Sequence, residues 1–253
     1  MILIVDAGNT NVDVSIYEND VIIYQERIET KRENINVYYR GFFNVVKGHY
    51  PSIEGFIVSS VVPLITSLIY NILRDNYQME GLLLNRALVT DLVVKLANPD
   101  ELGADLIATT YGAISKYQTP IIVADLGTAT KISVINEHKE FLGGIIVPGV
   151  SISKKAMEMM IPHLPIIEPK LPATIMTQDT IQSMQSGLLY GTIYQVIGLV
   201  AAIEEELDIK ATKILTGGYS RFIKHKMAEF IYDENLLNEG LLAIYKKYHR
   251  TKT

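Results

Sequence analysis

An aspartate and a glycine, one residue apart, interrupt two apolar stretches in "IVDAGNTNVDVSIYEND", Ile4 to Asp20. The layout returns about half a chain later in "IIVADLGTATKISVINEHK", Ile121 to Lys139. Each copy reads as an apolar strand, an Asp-x-Gly turn, small polar residues, an alternating strand and a polar turn. One such turn proves nothing, because Asp and Gly serve β-turns for local reasons. Two copies, each between apolar strands, predict duplicated domains. Without gaps, Asp6 aligns with Asp125, Gly8 with Gly127, Val14 with Ser133 and Ile16 with Ile135.

Two facing turns of this kind have a chemical use. Glycine lets a backbone N–H approach a phosphate, and Asn9, Thr10, Thr128 and Thr130 add side-chain donors. A carboxylate at each turn, Asp6 and Asp125, can hold a divalent metal or its waters. The arrangement differs from the Gly-x-x-x-x-Gly-Lys-Ser/Thr loop, which the chain lacks.

At 253 residues the chain holds one large or two medium domains. Its net charge of -5 argues against general nucleic-acid binding. The absence of cysteine excludes disulfides, thiolate zinc sites and cysteine nucleophiles, and with no visible secretory signal it fits a cytoplasmic protein. The uncharged stretch Gly187 to Ile203 sits at the lower limit of a membrane span, but its Thr192, Gln195 and glycines read as a buried helix, with no membrane partner. Ser183, Gly187 and Gly191 form a small-residue stripe at spacing four, suited to close packing within the domain or across a dimer; the first reading is favoured.

Strands are predicted at 2–5, 12–17, 21–27, 55–61 and 81–85, with helices at 35–47, 63–76 and from Pro99 to about Lys116. The second half opens at Pro120 with three strands through Val147. A helix from about Ser151, a long helix from near Gln178, the strand "KILTGGY" (Lys213 to Tyr219) and a terminal helix at 236–248 follow. This alternation argues for an α/β fold.

With these pieces in place the chain resembles the acetate and sugar kinase, Hsc70 and actin superfamily, and within it type III pantothenate kinase. The matching motifs are "DAGNTN" (Asp6 to Asn11), "SSVVP" (Ser59 to Pro63), "NPDELGAD" (Asn98 to Asp105), "DLGTAT" (Asp125 to Thr130), "GGIIVPGV" (Gly143 to Val150), "LP" (Leu164-Pro165), "QSGLLYG" (Gln185 to Gly191) and "LTGGY" (Leu215 to Tyr219). They occur in family order across nearly the whole chain. The resemblance implies two actin- or ribonuclease H-like domains, 1–117 and 118–253, flanking a nucleotide cleft, with the terminal helix free to pack back on the first domain.

It also implies ATP-dependent phosphorylation of pantothenate to 4′-phosphopantothenate, the first step of coenzyme A biosynthesis. Asp105 would be the base at the acceptor hydroxyl, with Gly103, Ala104 and Thr180 in the acceptor site. Asp6, Gly8, Asn9, Thr10, Asn11, Gly127, Thr128, Ala129 and Thr130 would meet the phosphates, and Gly217 and Gly218 the adenosine. Asp6 and Asp125 would serve Mg²⁺ or another divalent ion, with a monovalent cation such as K⁺ at Asp125. A homodimer is implied, Thr180 reaching the neighbour's pocket. On residues alone, Gly217-Gly218 also reads as a simple strand-to-helix turn, Thr180 as support for its helix start, and Asp105 as a solvated helix residue.

The departures from the family pattern cluster near the acceptor. Leu106 stands where an arginine usually follows the aspartate, Leu96 near the place of a tyrosine, and Thr109 at that of an asparagine. Lys131 and Ser133 replace the usual ending of the second phosphate motif. Lys131 reads either as a charge that displaces the monovalent cation or as a solvated strand residue. Two other functions stay open: a kinase for another small hydroxylated acceptor, and a non-catalytic nucleotide-binding protein.

Overall fold

The computed structural model describes residues 1–250. The chain divides into two compact units. The first comprises Met1–Leu92, Ala97–Ser115 and the terminal helix; the second comprises Val93–Leu96 and Lys116–Asn235.

The first unit holds strands β1 (Ile2–Ala7), β2 (Asn11–Glu18), β3 (Val21–Glu29), β4 (Gly55–Ser60) and β5 (Leu82–Leu83) in the order β3-β2-β1-β4-β5. Helices α1 (Ile35–His49), α2 (Pro63–Tyr77) and α3 (Ala104–Lys116) accompany it. α1 and α2 turn Tyr39, Phe43, Val46, Ile65, Ile69 and Ile72 into one core with Leu3, Val5, Val12, Val14 and Phe56. Pro63 stands in the first turn of α2, where its missing N–H costs nothing.

The second unit repeats the sheet. Strands β6 (Ile121–Leu126), β7 (Ala129–Ile135), β8 (Phe141–Pro148), β9 (Thr212–Thr216) and β10 (Ile231–Tyr232) lie in the order β8-β7-β6-β9-β10. Its helices are α4 (Val150–Met160), α5 (Thr180–Leu207) and the short α6 (Ser220–Ile223). Leu188, Leu189, Ile193, Val196 and Val200 of α5 pack with Ile122, Ala124, Ile132 and Leu215 of the sheet. The last helix, α7 (Leu236–Arg250), belongs to the first unit. There Gly240 passes so close that a Cβ would lie 1.8 Å from the Ala108 carbonyl oxygen.

Three expectations shift. The helix predicted from Pro99 begins at Ala104; Pro99–Glu101 is a separate 3₁₀ turn, capped by Asn98 and closed by an extended Leu102. The long helix starts at Thr180, and its cap is Asp179, whose carboxylate accepts from the Gln182 N–H at 2.8 Å. The small-residue stripe is not packed within the domain. Around Gly187 and Gly191 a Cβ would meet nothing within 4 Å, and the stripe lines a groove of about 520 Å³ with Pro148 and Met157. α5 is long and apolar enough to cross a membrane by length and composition, but half of its most apolar stretch is buried in the protein.

Candidate active site

Strand pairing sets the geometry of both turns. In the first unit β1 and β2 are joined by Gly8, Asn9 and Thr10, and Asp6 lies across from Asp13. In the second, Gly127 and Thr128 alone join β6 to β7, and Asp125 lies across from Lys131. The second turn is therefore one residue shorter. The gapless alignment fails beyond the turns for this reason: Ile4 pairs with Ser15 and Val123 with Ser133, so Ser133 corresponds to Ser15 rather than to Val14.

Because paired residues share a face, each carboxylate belongs to a row that crosses four strands. In the first unit the row is Arg27, Asp13, Asp6 and Ser59. Arg27 donates to both oxygens of Asp13, from Nε at 2.6 Å and from Nη2 at 3.1 Å, while the Ser59 hydroxyl donates to Asp6 Oδ1 at 2.7 Å. Burial disfavours the Arg27 charge, but the hydrogen bonds and charge of Asp13, and then the charge of Asp6, raise its pKa above the ordinary value. In the second unit the row is Ile146, Lys131, Asp125 and Thr216. Lys131 Nζ stands 3.0 Å from Asp125 Oδ2, with the two side chains 17% and 14% exposed. The reading of Lys131 as a solvated strand residue does not hold.

The second turn is the more crowded. Gly217 follows β9 with φ +89°, and a Cβ on it would lie 2.4 Å from Asp125 Oδ1 and 2.6 Å from the Leu126 backbone. The Tyr219 N–H donates to the Leu126 carbonyl at 3.0 Å, which ties this turn to the end of β6. Gly149, just before α4, presses on the same place: its Cβ would meet the Thr128 carbonyl oxygen at 2.4 Å. Asp125, Gly127, Thr128 and Gly217 thus converge within one unit. Thr130, by contrast, is buried beneath the turn, 1% exposed, with Ala129 opening β7 beside Pro148.

The first turn is looser. The Gly8 N–H donates to the Asn11 carbonyl at 2.9 Å, and Thr30 braces the loop by donating its hydroxyl to the Gly8 carbonyl at 2.7 Å. Asn9 and Thr10 are exposed, and Arg32 reaches Asn9 Oδ1 at 3.5 Å. Also in this unit, Asp105 sits in the first turn of α3, its Oδ1 accepting from the Leu106 N–H at 2.8 Å and resting over Gly103, where a Cβ would lie 2.7 Å away. Thr109 spends its hydroxyl on the Asp105 carbonyl at 2.8 Å, and Leu106 is half-buried beside it. Leu96 lies near Gly143 in the second unit, and Thr180 is exposed at the start of α5.

Sequence reasoning missed Asp13 and Arg27, and it gave no role to Ser59 and Thr216 within the motifs it matched. A signal existed for Asp13, a charge between the buried Val12 and Val14. Among the described residues no cluster of three or more His, Asp or Glu side chains could cage a metal. What is present is hard oxygen: two carboxylates facing across β1 and β2, with a hydroxyl on one of them. That set fits a divalent ion held by few protein ligands and by phosphate oxygens.

A family model described as type III pantothenate kinase matches residues 2–202. The chain is 34% identical to a type III pantothenate kinase of Halalkalibacterium halodurans over 252 residues, 98% of this chain and 99% of the relative. It is 35% identical to that of Geobacillus thermodenitrificans, with 98% of each covered. In fold it is similar to a Campylobacter jejuni protein described as a Baf family transcriptional activator, at 21% identity and TM-score 0.61 over 98% and 99% of the two chains. It is also similar in fold to MreB5 of Spiroplasma citri bound to ADP, at 10% identity and TM-score 0.52 over 99% and 96%.

Proposed function

The chain belongs to the type III pantothenate kinase family, and from that premise we propose that it transfers the γ-phosphoryl group of ATP to the hydroxyl of pantothenate, committing pantothenate to coenzyme A. The observation that carries the nucleotide half is the convergence of Gly127, Thr128, Gly149 and Gly217 around Asp125. Side-chain-free backbone at such a place admits a phosphate or a sugar closely. Gly217 and Gly218 take the adenosine end, and the turn residues Gly127, Thr128 and Ala129 take phosphates, with Thr130 supporting them from below. In the first unit Gly8, Asn9, Thr10 and Asn11 are assigned to phosphate as well.

Asp6, with Asp13 beside it, is the preferred divalent-metal end. When bound, magnesium supplies charge neutralisation on the phosphates, which phosphoryl transfer chiefly needs. Asp105 receives the proton of the acceptor hydroxyl, and Gly103 and Ala104 let the acceptor approach. Leu106 brings no charge to this place, so the acceptor carboxylate is met by other groups. A monovalent cation at Asp125 is what the resemblance implies, but the ammonium seated on that carboxylate does not fit one.

The groove along Ser183, Gly187 and Gly191, and the exposed Ile181, Tyr194 and Ile197 on α5, support a homodimer through this helix, with Thr180 offered to the neighbour. The protein is assigned to the cytoplasm with its substrates.

A coupled ADP-release assay with ATP, magnesium and pantothenate tests the reading. Asp105→Asn is expected to lose about 10²–10⁴-fold in transfer while keeping nucleotide affinity. Equal loss of ATP binding, or unchanged turnover, removes Asp105 from the role of base. ATP binding without turnover on pantothenate, followed by turnover on another hydroxylated acceptor, replaces the acceptor.

A further inference from the structure

The Asp125–Lys131 pair carries an inference that rests on the nucleotide reading and goes past it. Lys131 is fixed to its place by the shortness of the Gly127–Thr128 turn, which makes it the cross-strand partner of Asp125. The carboxylate is enclosed on both sides. Its Oδ2 holds the ammonium at 3.0 Å, and its Oδ1 lies against Gly217, with Gly127 nearby. A free cation drawn to this aspartate would meet an ammonium already on the oxygen it needs. It would also find a row whose charges cancel, one lysine against one aspartate.

The ammonium is a compact point charge, and it is held beside the carboxylate at the end of β6. It stands at the root of the partly exposed Gly127–Thr128 turn, the turn assigned to phosphate oxygens in the proposed function. We propose that Lys131 is this site's own monovalent cation: a tethered ammonium that sets the Asp125 carboxylate and lends positive charge to the phosphates at the Gly127–Thr128 turn. The protein then binds ATP and turns over without added potassium.

The test uses the full chain in a tetramethylammonium buffer at constant ionic strength. Magnesium–ATP is titrated by calorimetry with and without potassium, and transfer to pantothenate is followed in parallel. The unmodified protein is expected to bind ATP equally in both buffers. Lys131→Thr, which opens space for an ion, is expected to lose about tenfold to a hundredfold in affinity without potassium and to regain part of it as potassium or ammonium is added. Lys131→Arg keeps the charge and stays indifferent to potassium. Potassium activation of the unmodified protein by about tenfold or more overturns the proposal, whether or not the threonine variant folds. So does a folded Lys131→Thr protein that binds ATP as tightly as the original in tetramethylammonium. Because the readout is nucleotide affinity, lack of pantothenate turnover counts against the acceptor reading alone, while lack of ATP binding in every buffer overturns both.

Discussion

The two sheets have the same strand order and carry different charge beside their turns. Across β3, β2, β1 and β4 the row is cation, carboxylate, carboxylate, hydroxyl; across β8, β7, β6 and β9 it is isoleucine, cation, carboxylate, hydroxyl. The innermost pair is common to both: Asp6 with Ser59, and Asp125 with Thr216. The outer positions have parted. Arg27 pairs with Asp13, so the first row holds two carboxylates to one cation, and the proposed reading puts the divalent ion there. Lys131 pairs with Asp125 directly, and the proposed reading leaves the second row without a free ion. The two rows thus differ at two positions, Asp13 against Lys131 and Arg27 against Ile146, and the proposed reading gives them different tasks.

The sharpest way to break this comparison is at the glycines. Gly217→Ala forces a Cβ into the Leu126 backbone at a positive φ, whereas Gly8→Ala meets only the Asn11 carbonyl oxygen at 3.2 Å. The first is expected to cost about 2–4 kcal/mol of stability and most of the nucleotide affinity, the second about 1 kcal/mol or less. Urea melts and ATP titrations of both variants check this; equal costs would mean that the two turns are equally tight.

A smaller effect is expected from Arg27→Met. It leaves Asp6 and Asp13 facing each other without their cation, and should lower stability by about 0.5–1 kcal/mol, since Arg27 is half exposed. Magnesium should stabilise this variant more than the original in thermal melts. Absence of that difference would detach the first row from metal binding.

The smallest concerns acid. Glu204 accepts from Lys213 at 2.8 Å; burial pushes its pKa up, but the hydrogen bonds of Lys213 and of the Ala211 N–H outweigh it and hold the carboxyl below its ordinary value. A folded pKa below the unfolded one means stability present above the unfolded value, about 4.3, and lost as pH falls through the folded value. Screening by solvent limits the loss to about 1 kcal/mol or less. Stability measured from neutral pH down through this window should fall less steeply in Glu204→Gln than in the original protein.

The strands other than the two-residue β10, both turns and the helices at α1, α2 and α7 were legible in the sequence, because period-two and period-3.6 patterns come from burial and each segment buries one face. The face of Lys131 was not. It depends on whether two or three residues make the turn, and one residue moves every later side chain to the other side of the sheet. Sequence similarity between the copies hid that difference, since it aligned them without a gap. Ser59 was hidden for another reason, its partner lying on a strand that no local spacing connects, while the pairing of Arg27 with Asp13 across the β2–β3 hairpin was obscured by the register shift at Ile16 and Tyr17. The stripe on α5 was read correctly as small residues, but smallness permits close packing without saying what packs there.

The placement of α7 in the first unit sets an order of manufacture. Residues 116–235 emerge from the ribosome as one uninterrupted block of the second unit, together with the short segment 93–96 that precedes it. The first unit starts earlier and finishes later. Gly55 lies against Tyr245, and the Ala108 carbonyl against Gly240, so surfaces made early wait for a helix made more than a hundred residues later. A message cut short after about residue 235 would release a chain whose later-made unit is whole and whose earlier-made unit has an uncovered apolar face. Such a face invites aggregation, so the first unit depends on a helix made only after the whole of the second.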